Sequence, residues 1–216
     1  MPAPAPPFDL PTTRFADGEI SVPVVPSALN QLRSGAAHAR QIGAAYFEAR
    51  VQTVPMTMAD RGKWEAFFAN TRGPGRPVLI YDVRRPYPVS YTDFTGLTRF
   101  GGGAFDGTAA LSAITSVREL IVNTLPVGLL LKAGDRVGFI EGGRYGLAII
   151  AQDATADASG IVTIYIEPGL PSIFTTAATV QFEKPKGEFL IDQSSIDFGS
   201  GLGPQPVSFT ATSRVI

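Results

Sequence analysis

The 216-residue sequence is 44% hydrophobic and contains 23 Gly and 18 Pro, which is too apolar for a disordered chain and too rich in turn residues for a helical one. It contains no Cys, which excludes disulfide bonds, thiolate nucleophiles and cysteine-ligated metal sites. Its formal net charge of −1 gives no general attraction to polyanions. We therefore expect a β-rich α+β fold. Because no basic segment precedes an apolar one at the start, and no apolar run approaches roughly 18 residues, we also expect a soluble protein without a signal peptide.

Charge is divided unevenly between the two halves of the chain. Residues 1–100 contain 11 Lys and Arg against 8 Asp and Glu, a balance of +3, whereas residues 101–216 contain 7 against 11, a balance of −4. Such a polarity favours head-to-tail packing between copies, in which one surface meets a different surface and a ring can close. A chance distribution is the alternative.

The order of apolar runs and turn residues indicates two modules and a final strand. We expect residues 1–105 to form a sheet module with one packed helix and residues 106–192 a small antiparallel β-barrel or sandwich. Residues 193–216 hold a strand that could return to the first module. The chain begins with MPAPAPP at residues 1–7, which is typical of polyproline II because proline can join neither a helix interior nor a strand ladder. This arm is either frayed or lies on a neighbouring copy.

Two strands are predicted before the helix. Residues 20–25 predict a strand that the prolines within and directly after it confine to a sheet edge. A half-buried strand is predicted from residue 44 to residue 54, where apolar and polar side chains alternate. Its buried face should contain Phe47, Ala49 and Val51.

The helix is predicted between Thr57 and about Asn70. Thr57, with Asp60 three residues later, resembles a capping box, since both side chains can satisfy amide donors of a first helical turn. An aromatic face at helical spacing must cover a sheet, and it consists of Trp64, Phe67 and Phe68. The Gly-Pro-Gly sequence at 73–75 should end the helix, and residues 78–83 should return as a strand.

The next part of the sequence is less regular. Residues 91–105 contain three successive glycines and indicate a hairpin or a linker. Residues 116–123 are predicted as a strand. A helix over residues 111–125 is the alternative, because apolar residues recur there at roughly helical spacing, although the β-branched pair Ile121 and Val122 favours the strand.

Residues 131–186 can be explained throughout as consecutive antiparallel strands. Gly142 and Gly143 tolerate the positive φ angles of a tight turn, so they predict a hairpin between the first two strands. The predicted strands are 136–140, 145–151, 161–167, which is apolar on both faces, and 179–182. Beyond Pro185, further strands are predicted at 187–191 and at 207–214, the last as a terminal edge strand.

The search for reactive groups gives little. His38, the single histidine, lies among small residues and is expected in a loop or on the surface, and no nucleotide-binding, hydrolase or zinc-protease motif occurs. Asp153, Asp157 and Ser159 resemble a calcium loop, but the glycine and the closing glutamate are out of register. Asp135 and Glu141 are a weak candidate for a glycosidase pair. We expect no enzyme activity, no cofactor and no metal.

An Arg-rich and aromatic segment at residues 72–91 is the candidate interaction site. Nucleic acid is one possible partner, through phosphate contacts and stacking. A protein interface is favoured, because the arginines flank a predicted core strand and the chain is slightly acidic. The interface residues expected in this segment are Arg76, Tyr81, Arg84, Arg85 and Tyr87.

Three stretches carry a resemblance to a known family. They are MADRGKWEAFFANTRGPGRPVLIYD at 58–82, LKAGDRVGFIEGGRYGLAII at 131–150, and VTIYIEPGLPSIFTTAATVQFEKPKGEFLI at 162–191. The chain resembles the distal tail proteins of long-tailed bacteriophages, with their L-x-x-G-D turn, glycine hairpin, E-P-x-L step and closing K-P strand.

The resemblance implies a structural virion protein of the tail tip. Its N-terminal belt module, related to tail-tube proteins, would assemble into a homohexameric ring, and the β-module would lie outside it. The ring would join the tail tube to the hub or baseplate and leave a channel for DNA, with neither sequence-specific nucleic-acid binding nor membrane insertion. Residues 44–83 would belong to the ring and residues 131–186 to the outer module, with the helix aromatics in the core. The protein would be made in the host cytoplasm.

Two other classes stay open. A carbohydrate-binding or adhesion module for host-surface recognition would share the Gly- and Pro-rich, cysteine-free composition, and the outer module of some distal tail proteins resembles such domains. An enzyme that uses carboxylate chemistry is the third class. A ring component is oligomeric and inert, whereas a lectin binds glycan and an enzyme loses turnover when an acidic residue is replaced.

Overall fold

The structure is a computed structural model that describes residues 6–31, 37–72, 76–201 and 203–214, with the backbone alone at 29–31 and 37–39. The described residues form a β-rich fold with one α-helix, so the expected fold class is confirmed. Most of the Pro/Ala arm and the Gly-Pro-Gly sequence at 73–75 lie outside the described residues. Strands are numbered β1 to β16 along the chain.

The first layer is a six-stranded sheet built from both ends of the chain. All neighbouring strands in it are antiparallel except the first pair, which is parallel. In spatial order the strands are β1 (Phe8–Asp9), β6 (Val78–Tyr81), β15 (Lys186–Ile191), β16 (Ser208–Ser213), β5 (Glu48–Thr53) and β2 (Phe15–Ile20).

Helix α1 (Met58–Asn70) packs on this sheet. Thr57 is its N-cap residue, with the side-chain oxygen accepting a hydrogen bond from the amide of Asp60, so the predicted helix start is confirmed. Trp64 is fully buried and its ring lies 5.9 Å from that of Phe209 on β16. The aromatic face therefore belongs to the core between helix and sheet.

The second layer is a closed β-barrel with its own core. The strands around the barrel are β10 (Arg136–Glu141), β11 (Arg144–Ile150), β13 (Val162–Glu167), β8 (Glu119–Asn123), β7 (Thr108–Ser116) and β14 (Thr179–Gln181). Closure removes the free strand edges that an open sheet would present. Inside, apolar side chains such as Leu120, Val137 and Phe139 are almost fully buried.

Three small elements complete the chain. A two-stranded sheet joins β9 (Leu130–Leu131) to β12 (Ala154–Thr155), and a 3₁₀ turn spans Gln193–Ser195. A separate two-stranded ribbon consists of β3 (Ser27–Gln31) and β4 (Ala37–Gln41). No helix in the described part of the chain has the length and apolar character needed to cross a lipid bilayer.

The barrel packs directly against the sheet. Leu147 and Ile149 on β11 contact the sheet core, while the alternate residue Ala148 belongs to the barrel core. A Cβ atom built on Gly187 of β15 would lie 2.9 Å from the Cβ atom of Leu147, so β11 and β15 approach closely there. The two layers thus share an apolar interface.

The structure differs from the expected strand assignments in the second half. Strand β15, expected inside the 106–192 module, joins the sheet, because it pairs with β6 and β16. Strand β16 was expected at a sheet edge and instead lies between β15 and β5. On β13, Val162, Ile164 and Ile166 are buried and the alternate residues are exposed, so one face is buried and not two.

Differences also occur earlier in the chain. The edge strand expected at 20–25 is wrong: β2 ends at Ile20, before the prolines, and between residues 21 and 25 only Val24 forms an isolated bridge, with Tyr46. The helix alternative at 111–125 is wrong, because that stretch belongs to the β7–β8 hairpin. Strand β7 was not predicted. In the stretch 91–105, a single bridge between Thr98 and Ala104 encloses the glycine turn.

Candidate interaction surface

The eight residues expected to be structural or to form an interface separate into three groups. Trp64, Phe67 and Phe68 lie in the helix–sheet core, where the ring of Trp64 is 5.6 Å from each of the other two. Each of the three side chains is at most 9% exposed, as expected for core residues.

Two further residues lie at the helix end and on the sheet. Arg76 donates a hydrogen bond from Nη1 to the carbonyl oxygen of Asn70 at 2.6 Å, at the C-terminal end of α1. A cation there complements the partial negative charge of the helix terminus. Tyr81 is the last residue of β6 and is half-buried.

Arg84, Arg85 and Tyr87 are brought together in a surface groove, which we call the Tyr/Pro groove. It is formed by residues 84–92, which leave the sheet after β6, and by the barrel loop 133–135, and it encloses about 540 Å³. Sequence reasoning found the first of these segments and missed the second. The sequence signal that could have identified the loop 133–135 is the Gly134–Asp135 turn before β10.

The walls of the groove are held in place by a buried carboxylate. Asp135, 5% exposed, accepts one hydrogen bond from the amide of Val89 at 2.8 Å and another from the amide of Lys132 at 2.7 Å. A carboxylate that satisfies amides from two segments fixes their separation. The groove is therefore preformed.

Its two tyrosines are also fixed. The Tyr87 hydroxyl donates to the carboxylate of Glu183 at 3.0 Å, and this bond raises the pKa of Tyr87. The Tyr91 hydroxyl accepts from the amide of Leu130 at 2.9 Å. Both rings pack on Phe94, at centroid distances of 5.3 and 5.8 Å. The hydroxyl groups thus bond within the protein, and the rings are oriented side chains on the groove wall.

The two arginines differ in their partners. Arg84 binds Asp17 on β2 through two hydrogen bonds, of 2.7 and 2.6 Å, and Glu19 through a third of 2.9 Å. The hydrogen bond from Arg84 lowers the pKa of Asp17. Arg85 is exposed, donates to the carbonyl oxygen of Gly134 at 3.3 Å, and forms no ion pair with the residues that the structure describes. Its guanidinium keeps donors available to a bound chain.

A second surface surrounds the β3–β4 ribbon. Five residue pairs join the two strands, and no third strand of the described chain pairs with either outer edge. Three large apolar side chains beside its base are exposed, Val22 at 72%, Val25 at 47% and Ile42 at 66%. Sequence reasoning missed this ribbon. The signal in the sequence was the dipeptide Ser34-Gly35, a type common in turns, between two polar runs. The backbone of His38, expected in a loop or on the surface, lies in β4 opposite Asn30.

A third concavity, of about 360 Å³, lies where the barrel meets the sheet. Glu188, 2% exposed, accepts from the amide of Tyr145 at 3.1 Å and forms an ion pair with Arg214 at 3.4 Å. Arg118 and Glu167 pair at 3.0 Å on its lining. These charges are thus satisfied within the protein.

The carboxylates considered for chemistry have structural partners. Asp153 binds the ammonium of Lys132 at 2.7 Å, which lowers the pKa of Asp153, and Asp157 accepts from the amides of Ser159 and Ile161 within its own turn. Among the described residues, no group of three or more His, Asp or Glu could hold a metal ion.

The weak glycosidase pair is separated by a strand. Asp135 precedes β10 and Glu141 ends it, so their backbones lie roughly 20 Å apart at 3.3 Å per residue. Paired glycosidase carboxylates lie about 5–10 Å apart. Glu141 accepts instead from the amide and the hydroxyl of Thr175, at 2.6 and 2.8 Å.

No protein-family model matches the chain, and no curated protein sequence matches it.

Proposed function

We propose that this protein is a structural component of a phage tail tip, a distal tail protein whose copies form a ring. The ring would join the tail tube to the hub or baseplate and leave a channel for DNA. The observation that carries the proposal is the β3–β4 ribbon, with both outer edges unpaired among the described strands and exposed apolar residues at its base.

An isolated two-stranded ribbon is at best marginally stable in water. Unpaired strand edges are also templates for pairing with another chain. In a ring, neighbouring copies would pair with these edges and would cover Val22, Val25 and Ile42, which are at least 47% exposed in the single chain. Association through the ribbon therefore accounts for both features.

The charge distribution suits a ring. The balance of +3 over residues 1–100 and −4 over residues 101–216 favours a contact between unlike surfaces of successive copies. Contacts of this head-to-tail kind generate a closed ring when the rotation between copies closes.

The rest of the structure supports a scaffold function. The closed barrel has no free edge, and Asp135, Asp153 and Glu188 bond within the protein. On this proposal the barrel lies outside the ring, and the tail tube and hub proteins are the neighbours of the sheet module.

The test is the mass of the purified chain, measured by light scattering behind a sizing column at low and high salt, together with negative-stain images. A hexamer or a visible ring is expected at low salt, with dissociation as salt screens the contact. Ile42→Asp should abolish assembly, because it places a charge in the proposed contact. The matched control is Val117→Asp, a residue 59% exposed at the β7–β8 turn, which should assemble normally.

A monomer at every salt and protein concentration would contradict the ring. If that monomer also bound glycans on an array, the protein would be a carbohydrate-binding module.

A further inference from the structure

We propose that the N-terminal arm of one copy, residues 2–6, binds in the Tyr/Pro groove of the adjacent copy. This inference rests on the proposed ring and specifies one of its contacts.

The sequence of the arm suits the groove. The prolines at positions 2, 4 and 6 favour polyproline II, which has no internal hydrogen bonds and leaves its carbonyl oxygens free. Chains of this kind dock in grooves lined by aromatic side chains. The groove is preformed and proline restricts the backbone of the arm, so little conformational entropy would be lost on binding.

The groove supplies the matching contacts. Tyr87 and Tyr91 line it with rings that hydrogen bonds hold in place, and Val89 beside them is 76% exposed. The guanidinium of Arg85 lies on the same lining and forms no ion pair with the described residues. Proline rings would pack on the tyrosines and Val89, and Arg85 would donate to an arm carbonyl.

The direction of the strands indicates that the arm reaches a neighbour and not its own groove. Strand β1 follows the arm and pairs in parallel with β6, with Phe8 opposite Val78. Pro7 therefore lies at the end of the sheet where β6 begins, whereas the groove begins at Arg84, beyond the opposite end of β6. Strand β6 covers Val78–Tyr81, roughly 10 Å, and the chain then turns before it reaches Arg84.

Five residues of polyproline II would span about 16 Å at 3.1 Å per residue. To reach the groove of its own chain, the arm would have to reverse direction and pass the whole length of β6. On this proposal the contact between arm and groove therefore joins two copies, and it joins unlike surfaces, as a closed ring requires. The alternative binding surface for the arm on its own chain is a shallow concavity beside Pro7 and Phe67.

The first experiment measures binding to the groove directly. A full-length chain with Pro2→Ser, Pro4→Ser and Pro6→Ser keeps its groove free of native arms. A fluorescent MPAPAPP peptide should bind this variant in an anisotropy titration, and a MSASASS peptide should not. Adding Val89→Asp should weaken binding at least tenfold, while adding the control Val117→Asp should leave it unchanged. Equal binding of both peptides, or no effect of Val89→Asp, would overturn the proposal.

The second experiment uses the absence of cysteine from the chain. In a full-length Pro4→Cys, Val89→Cys double variant treated with a mild oxidant, we expect reducible covalent oligomers, because each arm reaches the next copy. A mixture of the two single variants should form covalent dimers between unlike variants. A disulfide within one chain would contradict the head-to-tail contact.

The outcomes separate this inference from the proposed function. If rings form but no cross-link does, and the triple serine variant forms the same rings, the arm contact is overturned and the proposed ring stands. Cross-linking and peptide binding without a hexamer would support the arm contact and contradict the ring.

Discussion

Arg136 and Asp82 form a buried ion pair between the barrel and the sheet. Arg136 begins β10 and Asp82 directly follows β6, with Nε and Oδ2 3.6 Å apart and the side chains 4% and 3% exposed. At this distance the contact is electrostatic and not a hydrogen bond. Arg136 also donates from Nη2 to the carbonyl oxygen of Ile20 at 2.6 Å. Burial lowers the pKa of Arg136, and the charge of Asp82 opposes this effect.

The first prediction concerns this pair. Asp82→Ala should lower the free energy of unfolding by about 3–5 kcal/mol, because it leaves a buried guanidinium without its counter-charge. The double variant Asp82→Ala, Arg136→Met removes both charges and should be more stable than Asp82→Ala alone. Urea unfolding gives the comparison, followed by the fluorescence of the single tryptophan, Trp64, which is fully buried. Additive losses in the double variant would show that the two side chains are not coupled.

The second prediction concerns the start of α1. Thr57→Ala should cost about 1 kcal/mol of stability, because the amide of Asp60 loses its capping oxygen. Thr57→Ser, which keeps an oxygen at this position, should cost less. The exposed Thr98, whose side chain forms no hydrogen bond with the described residues, provides the control Thr98→Ala. Equal losses at the two positions would contradict a capping function.

Local sequence signals were sufficient for the helix and for several strands. Thr57 and Asp60 defined the start of α1, and the spacing of Trp64, Phe67 and Phe68 identified its buried face. The Gly142–Gly143 turn predicted the β10–β11 hairpin. Each of these features depends on residues that are close in sequence.

The features that sequence missed depend on distant partners. Strand β15 follows the barrel strands in sequence, yet it joins β6, more than a hundred residues earlier, and no local pattern specifies that partner. The Tyr/Pro groove likewise combines residues 84–92 with the loop 133–135. The β3–β4 ribbon has little apolar alternation in its sequence, and its two strands pair only with each other among the described strands.

The third prediction concerns acid stability. The hydrogen bond from Arg84 lowers the pKa of Asp17 below its ordinary value of 3.8 in the folded state. Folding therefore favours the charged carboxylate, and the stabilisation is present above about 3.8 and is lost as the pH falls through the lower folded-state pKa. The melting temperature of the unmodified chain should fall on acidification from about pH 6 to about pH 3.

The variant Arg84→Gln should show a smaller fall over the same interval, because Asp17 then titrates at a similar pH in the folded and unfolded states. Arg144 is exposed and forms no ion pair with the described residues, so Arg144→Gln should melt like the unmodified chain at both pH values. Thermal melts followed by circular dichroism measure the difference. Identical falls for Arg84→Gln and the unmodified chain would contradict this assignment.

The last prediction compares two glycines with positive φ. Gly160 has φ of +66°, and a Cβ atom there would overlap the carbonyl oxygen of Leu125 and the Cβ atom of Phe100. Gly142 has φ of +55° and open space around it. Gly142→Ala should therefore cost about 1–2 kcal/mol, the strain of a left-handed conformation alone. Gly160→Ala adds overlap with atoms that cannot rotate away, so it should cost about 2–5 kcal/mol. Urea unfolding of the two variants measures both losses, and equal values would mean that the loop carrying Phe100 moves without cost.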